Sequence, residues 1–420
     1  MKKLMLICIG LCAHLASIAM IDNAHFWRAT RFFGEPRYEE AWLSSIDIST
    51  AGGSTSSSRN TCGKTTALLN LYGPHNFQKI GEGVPNKDPN NLLDTIVINL
   101  AAQPSSGNFG RMIYDGTYSI VDTTCMLTQN FFHGFFAQIQ IPIRSMELSC
   151  IKRCDLSSIG GQHPNQTNVW WQAFLTNFDA ILKRYCLEVS SFNRTSLGDT
   201  AVIIGWTKNH EETEVLDFID LTVKTGILAP TGHIKDIHNP FDLATGYDGH
   251  WGVPVVFNTA FGLYEWLNIG AHLSALMFLD KKQTVPIKTN SQQNGFIKLA
   301  RTQSDIQHGT VWHAGAYAKA DHVAHGLSFL GGYSFARQDR SYIKPCRTDI
   351  FDTAIINSDE TLHGFTMHTV HFGLEYDFTK QESMFGPRIG ISYDMQIGGT
   401  RIFKTSMIGG QLGIDISWHI

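Results

Sequence analysis

Three histidines close together in the chain, His363, His368 and His371, and a Cys150-x3-Cys154 pair are the first residues whose types could hold a metal. A zinc site needs three or four nitrogen or sulfur ligands converging on one point. His368 and His371 differ by an odd number, so on an extended chain they leave opposite faces. Cys150 and Cys154 have neither a second CxxC nor a histidine at fixed spacing beside them. No metal is expected. Local catalytic signatures are missing too: there is no GxSxG or HExxH, and the glycines lie in strand and turn patterns rather than in a strand-GxGxxG-helix setting. Catalytic sets assembled from distant strands leave no local trace, and neither an enzyme nor a cofactor is expected.

More chemistry lies in charged residues that recur at alternate positions. Arg144, Asp220, Lys224, His371, Glu375, Asp377, Arg388, Asp394 and Asp415 each sit opposite an apolar stripe, together with Gln138, Gln140, Asn258, His272, Gln396 and His419. In "DFIDLTVKTGILA", Ile219, Leu221, Val223 and Ile227 share one face while Asp220, Thr222 and Lys224 share the other. This period of two marks strands with one greasy and one polar side. It recurs in "AQIQIPIR", "VHFGLEYDF", "RIGISYDMQI" and the closing "IGGQLGIDISWHI".

The hydrophobic stretch "VPVVFNTAFGLYEWLNIGAHLSALMFL", Val253 to Leu279, reads as two such strands folded at Tyr264–Trp266. Wound as one helix, it would scatter Asn258, Glu265, Asn268 and His272 over every face, where lipid could not solvate them. About 14 strand segments (12–16) are expected from Ala41 onward, least clearly marked between Ala41 and Tyr118. In the second half, short links alternate with long ones at Ser145–Leu197, Pro230–His250, Asp280–Gly309, Gln338–Leu362 and Gly399–Thr405. That rhythm is produced by strands returning to the same two rims of a closed up-and-down barrel. Tyr264, Trp266, Tyr376, Phe378 and Trp418 gather at the short-turn rim, and Trp251 and Trp312 near the other, as lipid headgroups select. A soluble sandwich would show the same alternation, with its greasy faces turned to one shared core.

The expected fold is therefore an all-β, closed, antiparallel transmembrane barrel, with the polar residues above lining the lumen. Those charges either line a wet channel or pair across a closed interior for stability. Within the 145–197 link, taken as external, Trp171, Phe174, Leu175, Phe178, Ile181, Leu182 and Tyr185 follow helical spacing. This amphipathic helix is either a lid over the mouth or a support packed on the loops. "GGSTSSSRNT", Gly52 to Thr61, reads as a flexible polar loop.

The chain's 420 residues are 43% apolar and 17% charged, with 38 Gly and a net charge of −4, so nucleic acid is not an expected partner. "MKKLMLICIGLCAHLASIAM" carries Lys2 and Lys3, an apolar run from Leu4 to Ile18, and small residues Ser17 and Ala19, the pattern of an export signal cleaved after Ala19. This divides the chain into a signal (1–19), a short N-terminal segment (20–40) and the barrel (41–420). Cys62, Cys125, Cys150, Cys154, Cys186 and Cys346 remain after cleavage. Export favours disulfides among them, with Cys186 placed to meet Cys150 or Cys154.

The last strand carries the first family likeness. Gln411-x-Gly413-x-x-Ile416-x-Trp418 resembles the signal read by the barrel assembly machinery of Gram-negative-type outer membranes, although the chain ends on Ile420 where Phe or Trp is usual. A second stretch, Gly198-Asp199 followed by Leu228-x-Pro230-Thr231-Gly232, is similar to outer-membrane transporters of hydrophobic compounds. These include the group found with phenol-degradation pathways, distantly akin to the long-chain fatty-acid channel. No Asn-Pro-Ala hatch motif follows the signal. The resemblances imply a bacterial outer-membrane location, with the lipid bilayer and the assembly machinery as partners. They also imply passive uptake of small hydrophobic or aromatic solutes, and Gly198, Asp199, Pro230, Thr231 and Gly232 as rim-shaping residues. The competing expectation is a structural or adhesive surface barrel with a closed lumen and working external loops.

Overall fold

The computed structural model describes residues 43–84, 87–103, 108–157, 168–211, 216–264, 266–324, 326–378, 385–404 and 406–417. The export signal, the 20–40 segment and Trp418 lie outside these residues.

Twelve antiparallel strands among the described residues close into a ring. In chain order they are β1 (Leu43–Thr55), β2 (Arg111–Asn130), β3 (Phe135–Asp155), β4 (Thr200–Glu211), β5 (Phe218–Ala229), β6 (Gly252–Tyr264), β7 (Leu267–Phe278), β8 (Val311–Ala324), β9 (Leu327–Gln338), β10 (Thr366–Asp377), β11 (Phe385–Thr400) and β12 (Ser406–Ser417). Each pairs with the next, and β12 returns to β1 with Ile46 opposite Ile414. Two further segments, His75–Asn76 on β2 and Phe192–Leu197 on β3, bond outside the ring and bring the sheet to fourteen.

Period two in the sequence becomes inside and outside. Ile46 and Ile48 on β1, Val223 and Ile227 on β5, Val255 and Phe257 on β6, Ile269 and Leu273 on β7, and Leu412 and Ile414 on β12 all stand exposed on the outer wall. The residues between them, such as Asp47, Lys224, Asn258 and His272, are buried inside. So many apolar side chains in one continuous belt exceed the exposed patches of a water-soluble monomer, and hydrocarbon is the solvent that removes the cost. Tyr264 and Trp266 stack at 6.2 Å at the short-turn rim, beside exposed Tyr376 and Phe378. Trp251 and Trp312 stand half-exposed at the opposite rim.

At that opposite rim the links fold into a packed cap. The β2–β3 hairpin runs past the ring, its pairing continuing to Met112 opposite Asp155, so strand structure occupies about the first fifth of the expected 145–197 loop. The apolar spacing from Trp171 to Tyr185 forms two short helices rather than one, Val169–Thr176 and Phe178–Arg184, broken at Asn177. Asn168 caps the first through its side chain, and Trp171, Phe174, Phe178, Ile181 and Leu182 all turn into the cap core.

Within Ala41–Tyr118, the region least clearly marked in sequence, the described residues of 56–110 contain no ring strand. They fold into the cap through a six-residue helix, Phe77–Glu82, and a ten-residue one, Leu92–Ala101. In the latter Ile96, Val97 and Leu100 are buried at helical spacing. Part of "GGSTSSSRNT" is also ordered: Gly52–Thr55 complete β1, and Ser57–Arg59 joins a small three-stranded sheet with Thr65–Ala67 and Ile402–Phe403.

The disulfides favoured by export are not formed. All six cysteines of 43–417 are free. Cys150 and Cys154 stand four residues apart on β3, a span of roughly 13 Å in extended chain, well beyond the reach of a disulfide. Cys186, placed to meet either of them, is also unpaired and exposed.

Candidate functional site

The lumen has three levels. Nearest the short turns it widens into a vestibule of about 710 Å³, lined by Asp220, Asn258, Lys319, Asp321, Glu375, Asp377, Arg388, Gln411 and Asp415 among others. Its charges are organised as networks. Arg388 reaches Asp47 and Asp415 at 3.1 Å each, and Gln411 donates to Asp47 at 3.1 Å. Lys319 sits 3.2 Å from Asp321 and 3.5 Å from Glu375. Gly413 is where these strands need a glycine, because a Cβ there would overlap the Asp47 carboxylate. Ile416 lies nearby on β12, which closes the ring against β1.

Midway up, the wall is polar and buried. Gln138 donates to Thr128, His272 and His313 share a hydrogen bond at 3.0 Å, and the Lys224 ammonium lies 5.9 Å from the Phe136 ring. His371 holds Asp394 through Nδ1 at 2.7 Å. His368 points the other way, against Tyr333 on the outer wall, as its odd spacing from His371 requires.

At the mouth Arg144 spans wall and cap. Its Nε lies 3.2 Å from Asp122 on β2, and its Nη1 donates to the carbonyl of Thr245 in the 230–251 link. The Gly-Asp and Pro-Thr-Gly residues meet beside it. The Asp199 carboxylate accepts the amides of Gly232 at 2.9 Å and Tyr247 at 2.5 Å, while Thr231 donates to the Gly198 carbonyl at 2.6 Å. Pro230 follows the last residue of β5, where its missing N–H ends the ladder. Burial pushes the Asp199 carboxyl above the usual carboxylate range, while the two amides and Arg144 pull it back. These residues and Arg144 form one knot tying the cap to the barrel.

A Cβ on Gly246 would overlap both Asp199 oxygens. Gly246→Ala is expected to cost about 1–3 kcal/mol by overpacking and to loosen the 230–251 link first, read as faster amide exchange there than in the barrel strands.

Over the mouth the cap core is aromatic. His75 is fully buried among Phe77, Tyr114, Phe241 and Phe296, and its Nε2 accepts the Phe296 amide at 3.0 Å. Burial, aided by the charge of Lys298, lowers its pKa from 6.5 to about 3. Only the unfolded chain then takes a proton between those values, so cap stability is complete above pH 6.5 and falls as pH drops towards 3. The expected loss at pH 5 is roughly 2 kcal/mol. Tryptophan fluorescence of the cap against pH checks this, and His75→Gln should flatten the profile.

Sequence reading placed Asp220, Glu375, Asp377, Arg388 and Asp415 on one face, and here they share the vestibule. Lys224, His371 and Asp394 sit above it, and Arg144 lies at the mouth. It missed Asp47, Asp122, Lys319 and Asp321, whose parity on their strands carried the same signal, and His75, which no local pattern marks.

The closed ring, the greasy outer belt and the charged interior occur together only in one solvent arrangement. This fold is a transmembrane β-barrel. No family model and no curated protein matches the chain. Solved structures with some likeness include an outer-membrane channel from Pseudomonas putida F1, at 9% identity over 93% of this chain and 100% of that one, with a TM-score of 0.49. The Pseudomonas putida toluene transporter TodX aligns at 9% identity over 90% and 89%, with a TM-score of 0.32. The transport unit of the Escherichia coli autotransporter AIDA-I aligns at 9% over 94% and 96%, with a TM-score of 0.37. The transmembrane reading of this barrel stands on its own wall and lumen.

Proposed function

We propose that this barrel is a gated outer-membrane channel for passive entry of small solutes, its gate being the cap. The observation that carries this is the vestibule: at about 710 Å³ it falls within the range of small-molecule sites, roughly 300–1,000 Å³, and it is lined by fixed charges of both signs. The Gly198–Gly232 resemblance favours hydrophobic or aromatic solutes, and the polar lining favours those that also carry a polar group. The buried network at Arg144 and Asp199 supplies a closed state that few broken contacts would open.

The packed cap supports one other reading, a structural barrel whose lumen stays closed and whose external loops do the work. Single-channel recording and liposome swelling with small aromatic alcohols separate the two. The channel reading expects intermittent current and solute-dependent swelling, both raised in Gly246→Ala. Absence of current and swelling in both the natural protein and that variant, with the barrel folded, would leave the structural reading.

A further inference from the structure

Three side chains on neighbouring strands meet inside the wall, and neither channel nor scaffold needs them in this order. Ser334 Oγ on β9 lies 2.7 Å from His371 Nε2 on β10, and His371 Nδ1 lies 2.7 Å from Asp394 Oδ1 on β11. All three are buried, with 1%, 4% and 7% of their surface exposed. The order is hydroxyl, imidazole, carboxylate, with Nε2 facing the serine and Nδ1 the carboxylate. A carboxylate on Nδ1 fixes the tautomer in which Nε2 is free to accept the serine proton. The cross-strand register sets the geometry, since His371 is directly opposite Asp394 and Ser334 directly opposite Thr369.

A fourth group completes the set. The Thr369 hydroxyl is buried and has no hydrogen-bond partner among the described residues. Directly opposed side chains have Cβ atoms about 4.5–5.5 Å apart, which puts a spare O–H donor beside Ser334, where a carbonyl oxygen attacked by that serine would gain charge. There is also a way in. Gly373, two residues from His371 on the same face, lines the vestibule. Gly332 and Ser392, both small, stand two residues from Ser334 and Asp394 in the same direction along β9 and β11.

We infer that Ser334, His371 and Asp394 form a nucleophile, base and orienting carboxylate for hydrolysis of small carboxylic esters that reach the lumen through the vestibule. Ser334 Oγ attacks the ester carbonyl while His371 Nε2 takes its proton. The tetrahedral oxyanion receives the Thr369 hydroxyl. As it collapses, the C–O bond to the alcohol breaks, and the alkoxide leaves with the proton held by His371. Water then attacks the acyl-serine, giving its proton to His371, and the Ser334–acyl bond breaks to release the carboxylic acid and restore the hydroxyl. The inference uses the vestibule as an entrance and stands whether or not the lumen conducts.

The test uses the folded full chain in detergent, a fluorophosphonate probe and p-nitrophenyl butyrate. The natural protein should become labelled on the peptide containing Ser334 and should release nitrophenol, and Ser334→Ala should do neither. Asp394→Asn should lower turnover on the order of 10⁴-fold, as loss of the orienting carboxylate does in such triads. Ser334→Cys, in a background with the native cysteines replaced, tests the pairing apart from turnover: a thiol beside His371 should react with iodoacetamide down to about pH 6, below the range of an ordinary thiol near 8.5. A folded natural protein that is neither labelled nor faster than Ser334→Ala overturns the inference, as does a thiol in Ser334→Cys that titrates near the ordinary value of about 8.5. Channel recordings on the same sample report separately on conduction.

Discussion

Replacing Arg144 by alanine is expected to be among the most damaging single changes in the lumen, and to open the mouth. The guanidinium is 1% exposed and faces Asp122 at 3.2 Å across the β2–β3 register. Removing one member of a buried ion pair typically costs about 3–5 kcal/mol, because the remaining charge stays desolvated. Here the loss falls on wall and cap together, since Arg144 also holds the Thr245 carbonyl. Thr245 in turn bonds the Leu197 carbonyl, and its hydroxyl accepts the His233 amide. Conductance should rise and urea should release the cap before the barrel. The double change Arg144→Met with Asp122→Leu should regain part of the stability, because it removes both members of the ion pair, although buried Asp199 still loses its neighbouring cation. A single variant as stable and as closed as the natural protein would mean that the knot does not hold the gate.

The second large effect lies on the other side of the wall. Leu273, in the middle of β7, is 52% exposed, and its register partners are Phe257 on β6 and Ala314 on β8. An arginine on the lipid face near the bilayer midplane costs about 2–4 kcal/mol, falling towards zero at the interfaces. Leu273→Arg should therefore lose most of the heat-modifiable folded band in lipid. The same substitution at Trp266, on the short-turn rim, should be far milder.

What could be read without coordinates followed from local physics. Alternation along Phe218–Ala229 and Leu267–Phe278 was enough to send Asp220, Lys224 and His272 inward, because parity on a strand needs no knowledge of the partner strand. Link lengths alternated because strands return to the same rims. Register was hidden, and with it every contact between strands: nothing local tells that Arg144 faces Asp122, or that Ser334 meets His371 and Asp394, 37 and 60 residues away in the chain. The segment 56–110 was obscure for another reason. Most of its apolar residues are buried in a cap built with Trp171, Phe174 and Phe241, so their spacing answers to partners far along the chain. Export makes disulfides available to the cysteines, while only geometry decides whether two sulfurs can meet.

The central claim is that one face of each strand meets lipid and the other an enclosed polar lumen. Spin labels placed singly from 268 to 277 on β7, in a background with the native cysteines replaced, measure this directly in liposomes. Collision with oxygen, which concentrates in hydrocarbon, should be high at 269, 271, 273, 275 and 277 and low at the even positions between them. Uniformly low oxygen collision along the strand, meaning that Leu273 and its neighbours are packed in a dry protein core, would contradict the account.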